Sequence, residues 1–440
     1  MVDNATPVNE PVDSLFDHQE ADRCVACGLC LPVCPTYRLT RSENESPRGR
    51  ISLMRGLARN QLPADSTLVD HLASCTLCLA CESACPAGVG YETQMNLAQT
   101  WLVDRNLRPK SAVENYLLNT VCKGSSSLKR FGRMASTYQR SPVRRALRGS
   151  GLLRLTGLDR AEQAMPEFSA ITRFNSTYPA ATHRRGRVAL FKGCLQDQTD
   201  PETLPAAIKL LTHLGFAVDI PEAQGCCGGL HLHTGHHREA QTLAQSNVAA
   251  FMKSDAILGV ASGCGAVLRQ YGQLAGKEGE SLAEKYQDIN TFVANAISRD
   301  AAFNSLPARA LVHEPCSHRN QLRQNGDVYD ILKYIPGLEV DTLPDNQFCC
   351  GGAGTYSLSQ PGLANKMREP KLAAIAALRP DYLVTTNIGC ALHLKAGLSG
   401  HNVDVEIVHP VALLARQAGE AQPGANESCE PRPVPDRVLP

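Results

Sequence analysis

Two stretches of this chain each place four cysteines at the same spacing, and that spacing suits iron–sulfur chemistry. Residues 24–35 and 75–86 both read C-x2-C-x2-C-x3-C-P. Three thiolates separated by two residues each can ligate three corners of one [4Fe-4S] cluster, whereas the fourth thiolate, beyond a longer gap, reaches the other cluster. The final proline removes a backbone donor and keeps a helix from continuing through the site. The pattern therefore predicts two interlocked [4Fe-4S] clusters.

The crossed arrangement assigns each cluster three ligands from one stretch and one ligand from the other. The first cluster is expected on Cys24, Cys27, Cys30 and Cys85. The second is expected on Cys75, Cys78, Cys81 and Cys34. A zinc site or a set of disulfides is the alternative, and two full matches in one chain argue against both.

Length and composition limit the class of protein. A chain of 440 residues is expected to form more than one domain. Its net charge of +1 argues against a nucleic-acid binder. The polar, acidic N-terminus does not read as a signal peptide, so the 18 cysteines predict metal ligation in the cytoplasm rather than disulfides. No apolar run reaches the length of a spanning helix, which leaves a soluble protein or one docked on the inner face of the membrane.

The second half of the chain contains an internal repeat of cysteines. The first copy holds Cys194, Cys226, Cys227 and Cys264, and the second holds Cys316, Cys349, Cys350 and Cys390. Two glycines follow each adjacent pair, and glycine allows the sharp backbone bend that adjacent thiolates need in order to face one metal. The repeat predicts one or two further iron–sulfur centres. A buried or redox-active thiol pair without metal is the alternative.

These patterns predict an α+β multidomain chain, with an N-terminal α-helical ferredoxin domain, a helical connector and two repeated α/β domains. The insert between the two cluster stretches is expected to form helices over 47–60 and 68–72. Each α/β copy reads strand, helix, strand, cysteine loop, helix, strand. Strands are expected over 187–191 and 256–260 in the first copy and over 309–313 and 381–385 in the second. A helix capped by Asp200, with Pro201 in its first turn, is expected in the first copy. The expected segments are 1–22 (flexible), 23–105 (two-cluster domain), 106–186 (connector), 187–300 and 308–416 (repeated domains) and 417–440 (disordered tail).

The connector has a local excess of positive charge. Between residues 123 and 160 there is one acid, Asp159, and ten basic residues: Lys123, Lys129, Arg130, Arg133, Arg140, Arg144, Arg145, Arg148, Arg154 and Arg160. Such a block predicts a docking face for an acidic partner or for anionic lipid headgroups. A solvated helical connector is the alternative.

The repeated cysteine pattern resembles the cysteine-rich CCG domain of heterodisulfide reductases and related electron-transfer subunits. In that family each domain usually ends in C-x-x-C, whereas this chain has Val267 and His393 at the last position. The departure weighs against disulfide-reducing chemistry. His393 is either a nitrogen ligand or a structural histidine.

Over residues 20–416 the order of motifs is similar to that of glycolate oxidase iron–sulfur subunits. The segments that carry the resemblance are Cys-Pro-Thr-Tyr at 34–37, Pro-Arg-Gly-Arg-Ile at 47–51, Ala-Ser-Gly-Cys-Gly at 261–265 and Asn-Ile-Gly-Cys at 387–390. The resemblance implies an electron-transfer subunit of a glycolate (2-hydroxy acid) dehydrogenase. It further implies that FAD sits on a partner subunit, that a quinone or respiratory acceptor takes the electrons, and that this chain has no hydride-transfer site.

Three other functions stay open on the sequence. The chain also resembles cluster subunits of D-lactate and glycerol-3-phosphate dehydrogenases, which the two cluster stretches alone do not separate from glycolate oxidase. A heterodisulfide-reductase-like protein would instead make the CCG half an active site. A redox sensor that signals through cluster loss would need only one labile centre, so the paired stretches favour an electron relay.

Overall fold

The computed structural model describes residues 18–108, 112–118, 125–155, 162, 165–169, 172–298, 301–401 and 403–419. Residues 1–17 of the predicted flexible N-terminus lie outside these ranges, as do residues 420–440 of the predicted tail. Lys123, Asp159 and Arg160 of the basic block are also outside them. In the described residues, no helix combines the length and the apolar character needed to span a membrane.

The N-terminal domain is entirely helical. Its helices are α1 (His18–Asp22), α2 (Pro35–Thr40), α3 (Pro47–Ala58), α4 (Ser66–Ala73), α5 (Ala80–Ser83) and α6 (Tyr91–Asp104). Apolar side chains of α3, α4 and α6 meet in one core, in which Leu72, Met95 and Leu102 are completely buried. This core holds the two cysteine stretches on its surface, because each stretch joins two of its helices.

Side-chain caps fix where the two helices of the insert begin. The backbone N–H of Gly49 donates to Ser46 Oγ at 3.0 Å, and that of Leu68 donates to Asp65 Oδ1 at 2.9 Å. Each cap satisfies a backbone donor that has no partner within its helix. The helices predicted over 47–60 and 68–72 therefore occupy 47–58 and 66–73.

The first described residues differ from the prediction. Residues 18–22, expected to be flexible, form α1, whose Ala21 is buried in the domain core. The Gly90 N–H donates to Glu20 Oε1 at 2.5 Å and ties this helix to the region before α6. A five-residue helix depends on such tertiary contacts, so its own sequence gave little sign of it.

The connector is helical where the structure describes it. Its helices are α7 (Ala112–Tyr116), α8 (Ser125–Arg140), α9 (Pro142–Ser150) and α10 (Leu152–Leu155). Two of its basic residues are neutralised locally, because Arg144 Nε and Arg148 Nε each lie 2.8 Å from a carboxylate oxygen of Glu162.

The first repeated domain is built on a five-stranded sheet. Its strands, in the spatial order β1-β3-β2-β4-β5, are β1 (Thr177–Tyr178), β2 (Gly186–Phe191), β3 (Phe216–Asp219), β4 (Ile257–Gly259) and β5 (Tyr286–Asp288). Strands β2 to β5 pair in parallel, and β1 pairs antiparallel with β3. The predicted helical connector is therefore wrong at residues 177–178, which form the edge strand of this sheet.

Seven helices accompany this sheet: α11 (Gln196–Thr199), α12 (Thr203–His213), α13 (Gly229–His233), α14 (His237–Phe251), α15 (Ser262–Leu268), α16 (Tyr271–Lys285) and α17 (Ile289–Ala296). Helix α12 begins two residues later than predicted, so Pro201 lies before its first turn. Asp200 still caps it, since its Oδ1 accepts from the N–H groups of Glu202 and Thr203 at 3.0 Å.

The second repeated domain has a fully parallel four-stranded sheet. Its strands, in the order β7-β6-β8-β9, are β6 (Ala308–His313), β7 (Leu338–Thr342), β8 (Tyr382–Thr385) and β9 (Glu406–Val408). A π-helical turn at Ser317–Leu322 follows β6. The helices are α18 (Gly326–Leu332), α19 (Tyr356–Ser359), α20 (Pro361–Leu378), α21 (Ile388–Leu398) and α22 (Pro410–Gln417).

The two copies share a core. Helix α12 packs against α22, and α17 packs against α18, so that Leu211 and Val411 belong to one apolar cluster. Across the contact, the Ser262 N–H donates to Thr386 O at 2.9 Å, and the hydroxyls of Ser262 and Ser317 lie 2.9 Å apart. Cysteines follow the carboxyl ends of β2, β4, β6 and β8, where parallel sheets place their ligands.

Candidate iron–sulfur site

The two N-terminal cysteine stretches have the same backbone shape. The second and fourth residues after the first cysteine have positive φ: Ala26 (56°) and Gly28 (85°) in one stretch, Leu77 (50°) and Leu79 (56°) in the other. Residues of this kind, alternating with ordinary ones, turn successive N–H groups towards one concave side that favours an anion. A cluster with four thiolates is anionic, so both loops fit such a group.

Five of the eight cysteines converge on the domain core. Cys81 is part of that core, and Cys24, Cys30, Cys75 and Cys85 pack against it. Three of the four cysteines predicted for the first cluster, Cys24, Cys30 and Cys85, therefore pack against the same core. Cys27, the fourth cysteine predicted for the first cluster, is exposed.

Cys34 lies near thiols of both stretches, since its charge acts on Cys30 as well as on Cys78 and Cys81. Burial, followed by the charges of the Cys316, Cys34 and Cys75 thiolates, raises the pKa of Cys78 far above that of a free thiol. Cys34 thus shares its surroundings with Cys75, Cys78 and Cys81, the set predicted for the second cluster. Buried thiols with raised pKa values remain protonated until a metal replaces the proton.

A buried arginine lies behind Cys34. The Arg50 side chain is completely inaccessible, and its Nη2 lies 2.5 Å from Glu45 Oε2 and donates to Ser74 Oγ at 2.8 Å. Its Nη1 donates to Thr36 Oγ1 at 3.2 Å, and that hydroxyl is 3.2 Å from Cys34 Sγ. The guanidinium therefore reaches a predicted cluster ligand through a single hydroxyl group.

The charge of Arg50 is secured by its surroundings. Burial alone would lower the pKa of Arg50, but the ionisable groups around it, Tyr91, Cys75, Cys34 and Glu45, raise it when they carry negative charge. Glu45 is the carboxylate in direct contact with the guanidinium. A permanent positive charge beside the second cluster is one of the features that set a cluster's reduction potential. Because Arg50 is buried, it is not available to a docking partner, and its place beside Cys34 suits tuning of the predicted second cluster.

The paired glycines of each CCG motif donate their amides to the preceding cysteines. Four N–H···S contacts of 3.4–3.5 Å result: Gly228 to Cys226, Gly229 to Cys227, Gly351 to Cys349 and Gly352 to Cys350. The first glycine of each pair has positive φ, 87° at Gly228 and 85° at Gly351. The glycines thus bend the chain and also stabilise negative charge on sulfur.

In the first copy the four cysteines form one hydrogen-bonded row. Cys194 Sγ donates to Cys226 Sγ at 3.5 Å, and Cys227 bonds to both Cys226 and Cys264. The bonds from Cys194 and Cys227 lower the pKa of Cys226 well below its ordinary value. The Tyr271 hydroxyl donates to Cys227 O at 3.0 Å and holds the loop against α16.

The second copy repeats the row and adds a histidine. Cys316, Cys349, Cys350 and Cys390 are bonded in that order. The ligand atoms of His313, Cys350 and Cys390 lie within 4.8 Å of one another, and all three residues are buried. Within the described ranges this is the one group of three His, Cys, Asp or Glu residues spaced closely enough to share a metal ion.

The histidine of this group is held in a neutral state. His313 Nδ1 lies 3.0 Å from Thr385 Oγ1 at the end of the neighbouring strand. Burial and the nearby charge of Lys371 lower the pKa of His313 well below its usual range. Neutral imidazole is the form that binds a metal.

Lys371 itself is a buried cation beside the thiols. Its Nζ donates to Asp345 O at 2.7 Å, and its side chain is almost completely inaccessible. Burial lowers the pKa of Lys371, and the thiolate charges of Cys350 and Cys349 oppose that effect. Positive charge near anionic sulfur is thus present in the second copy as well as at Arg50.

The second copy lies directly against the second cluster stretch. Cys78 and Cys349 belong to one small buried cluster with Ala80, and Val33 and Cys316 pack against it. Cysteines from residues 75–86 and from the second CCG motif are therefore neighbours. Such proximity suits the passage of an electron between the two sites.

Polar and aromatic contacts seal this junction. Asn320 Nδ2 donates to Cys78 O at 2.7 Å, and Ser83 Oγ donates to Asn320 O at 3.4 Å. The Arg38 guanidinium lies 3.4 Å from the centre of the Phe348 ring, a cation–π contact next to the CCG motif. The π-helical turn and the CCG loop thus cover the second cluster stretch.

His393 and His313, both in the second copy, have different surroundings. His393, at the place of the missing C-x-x-C cysteine, has its Nε2 3.4 Å from Ala364 O, and burial lowers its pKa to about 4. Sequence reasoning overlooked His313, because it ends a predicted buried strand. The His-x-x-Cys spacing to Cys316 was the available sign. Val267, at the corresponding place in the first copy, is completely buried.

Comparison with known proteins agrees with this arrangement. The model of a 4Fe-4S dicluster domain matches residues 20–89, and that of a cysteine-rich domain, CCG, matches residues 188–269 and 310–395. The glycolate oxidase iron–sulfur subunit of Escherichia coli (strain K12) is 31% identical over 397 residues, covering 88% of this chain and 92% of its own. A Bacillus subtilis (strain 168) protein named as a probable glycolate oxidase iron–sulfur subunit is 31% identical over 426 residues, covering 92% and 95%.

A second group of relatives matches a shorter part. Lactate utilization protein A of Geobacillus kaustophilus (strain HTA426) is 28% identical over 234 residues, which is 52% of this chain and 98% of that protein. The first group covers about nine-tenths of this chain and therefore spans the dicluster domain, the connector and both cysteine-rich copies. By this full-length similarity, the chain belongs to the family of glycolate oxidase iron–sulfur subunits.

Proposed function

We propose that this chain is the electron-transfer subunit of a glycolate dehydrogenase and works with a partner subunit that carries FAD. Oxidation of glycolate to glyoxylate releases two electrons and two protons. The flavin accepts the electron pair, and the clusters of this chain accept the electrons singly and pass them to a quinone or another respiratory acceptor. The contact between Cys78 and Cys349 is the observation that carries the proposal, because it joins the two cysteine-rich halves into one path.

The ligands proposed for the relay are those expected from the sequence. Cys24, Cys27, Cys30 and Cys85 hold one [4Fe-4S] cluster, and Cys75, Cys78, Cys81 and Cys34 hold the other. The paired positive-φ residues and the convergence of the cysteines on one core support this assignment. When bound, the clusters supply one-electron steps, while the chain supplies insulation, charge and hydrogen bonds to sulfur.

Iron content and turnover test the proposal together. Anaerobically purified chain should contain at least about eight irons, from four irons per cubane cluster. Alone it should not oxidise glycolate, and adding the flavoprotein subunit should restore glycolate-dependent reduction of a quinone analogue. Glycolate turnover by the isolated chain, or zinc in place of iron, would refute the proposal.

A 2-hydroxy acid other than glycolate is the second candidate, because relatives named for lactate utilization match half of the chain. Comparing glycolate, D-lactate and glycerol 3-phosphate with the assembled complex would separate the candidates. Faster reduction of the clusters by D-lactate than by glycolate would favour the lactate assignment.

We also propose that the chain works in the cytoplasm, docked on the inner face of the membrane through the connector. Arg130, Arg133, Arg140 and Arg145 are exposed on α8 and α9. Anionic headgroups would attract such a face, and a quinone acceptor dissolved in the bilayer would then be within reach.

A further inference from the structure

The two CCG copies differ at one position where the fold makes them equivalent. The last residue of β2 is Phe191 and the last residue of β6 is His313, and both lie three residues before the first cysteine of their copy. The first copy therefore presents a phenyl ring at the carboxyl end of its central strand. The second presents an imidazole.

The position faces the thiols in the second copy. His313 has a ligand atom within 4.8 Å of Cys350 Sγ and of Cys390 Sγ. Its Nδ1 is engaged by Thr385 Oγ1 at 3.0 Å, which leaves Nε2 for a metal. A hydrogen bond to the second ring nitrogen is the usual way in which proteins orient a metal-binding histidine.

A second difference concerns charge. The first CCG glycine packs against Ala240 of α14 in the first copy and against Ala364 of α20 in the second, so these two alanines are equivalent. Asn247 and Lys371, each seven residues after its alanine, therefore occupy equivalent positions. Asn247 is neutral and bonds to Cys226 O at 2.8 Å, whereas Lys371 brings a buried positive charge to the thiols. The second copy alone thus combines an extra ligand with charge compensation for an anionic centre.

We propose that His313 is a nitrogen ligand of an iron–sulfur centre held by Cys350 and Cys390 of the second CCG copy, and that the first copy holds no centre with nitrogen ligation. This centre lies next to the second cubane, since Cys349 packs with Cys78. The inference rests on the proposed electron-relay function for its role, but the ligand assignment depends only on the geometry of the second copy.

The test uses the full chain, purified anaerobically and labelled with ¹⁵N-histidine. Pulsed electron paramagnetic resonance of the oxidised and the reduced protein should detect a histidine nitrogen coupled to an iron centre distinct from the two cubanes. Iron should exceed the roughly eight atoms that two cubanes need. His313→Gln and His313→Phe should each abolish the nitrogen coupling and return the iron content to about that value, with the cubane signals retained.

His393→Gln is the matched control, because His393 lies in the same copy and occupies the place of the missing family cysteine. It should keep both the coupling and the iron. Absence of nitrogen coupling from every paramagnetic state of the wild type would overturn the assignment without relying on a variant that folds. The assignment would also be overturned if the coupling were lost in His393→Gln but kept in His313→Gln. A wild-type iron content near that of two cubanes, or stoichiometric zinc, would overturn it as well. Absence of the cubane signals from the wild-type chain would count against the proposed relay and not against the assignment of His313.

Discussion

Arg50 brings a permanent positive charge next to Cys34, in a place that water does not reach. Its neighbours are Glu45, Ser74 and Thr36, all within hydrogen-bonding distance. Since a positive charge stabilises added negative charge, it should favour the reduced state of the cluster proposed on Cys34.

Arg50→Gln should lower the reduction potential of the second cluster and destabilise the domain. Removing Arg50 breaks its buried ion pair with Glu45, which keeps its contacts to His71 and Ser74. The cost in the free energy of unfolding should therefore be at most the roughly 3 to 5 kcal/mol of leaving a buried charge without any partner. Redox titration followed by electron paramagnetic resonance, together with denaturant unfolding, measures both effects. Arg59→Gln, an exposed position just after the same helix, serves as the control and should change neither. An unaltered potential in a folded Arg50 variant would contradict the tuning role.

At the scale of single residues, the sequence predicted candidate ligands better than it predicted their surroundings in the folded chain. The eight cysteines proposed as cubane ligands were predicted from spacing alone, because ligation by a short loop is local. His313, Lys371 and the burial of Arg50 were not, because their significance depends on which distant thiols surround them in the folded chain.

At the scale of the elements, the CCG loops depend on a close approach to a helix. An added Cβ at Gly351 would lie 2.5 Å from the backbone oxygen of Ala364, whereas at Gly228 the nearest atom, Ala240 O, would be 3.2 Å away. Both glycines have positive φ. The two copies therefore offer the same substitution with a severe clash at Gly351 and only a tight contact at Gly228.

Gly351→Ala should be more damaging than Gly228→Ala. The left-handed backbone alone costs about 1 to 2 kcal/mol for alanine, which is the whole expected effect at Gly228. At Gly351 the clash with α20 should raise the loss to about 2 to 4 kcal/mol. Thermal unfolding of both variants tests this order, and equal losses would show that α20 yields to the added methyl group.

The exposed arginines of the connector should bind anionic membranes. Replacing Arg140 and Arg145 with Gln should weaken binding to vesicles that contain phosphatidylserine, because each basic residue near an anionic surface contributes about 1 kcal/mol. Sedimentation with vesicles at low and high salt measures the effect. Lys253→Gln with Lys277→Gln removes the same charge from exposed sites on the first CCG copy and should leave binding unchanged. Equal binding by both double variants would argue for a connector that is simply solvated.

The secondary structure shows where local patterns suffice. The buried strands β2, β6 and β8 and helix α3 were predicted to within a few residues, because apolar runs, capping residues and breakers are sequence-local. The edge strand β1 and the short helix α1 were missed, since each exists only through its contact with a distant partner.

At the scale of the whole molecule, the dicluster domain contacts both CCG copies. One contact is the junction at Cys78, and the other includes Gln270 Nε2, which donates to Glu92 Oε1 at 2.9 Å. Burial, opposed in part by the bond from Gln270 and reinforced by the charge of Glu82, raises the pKa of Glu92 to about 7.

This interdomain carboxyl group should make stability depend on pH. Because the folded pKa of Glu92 is raised above its ordinary value of 4.5, its neutral form favours the folded state below that value, and the advantage is lost as pH rises to about 7. Glu92→Gln should therefore be more stable than the wild type above pH 7, by about 1 to 3 kcal/mol. The difference should shrink towards pH 5.5. Unfolding at both pH values measures it, and a difference that does not vary with pH would contradict a buried, titrating Glu92.

The sequence predicted two CCG domains but not their fusion. Leu211 and Val411 belong to separate predicted domains and share one cluster of buried side chains. Pairing between copies cannot be read from periodicity, which reports that a face is apolar without identifying what covers it.

Asn320 and Cys349 cover Cys78, and this contact constrains the order in which the protein can be assembled. If the second stretch binds its proposed cluster, iron and sulfide must reach these cysteines before the carboxy-terminal half closes over Cys78, or the two halves must separate again for delivery. Oxygen meets the same barrier, so oxidative damage should begin at the opposite end, where Cys27 is open to solvent.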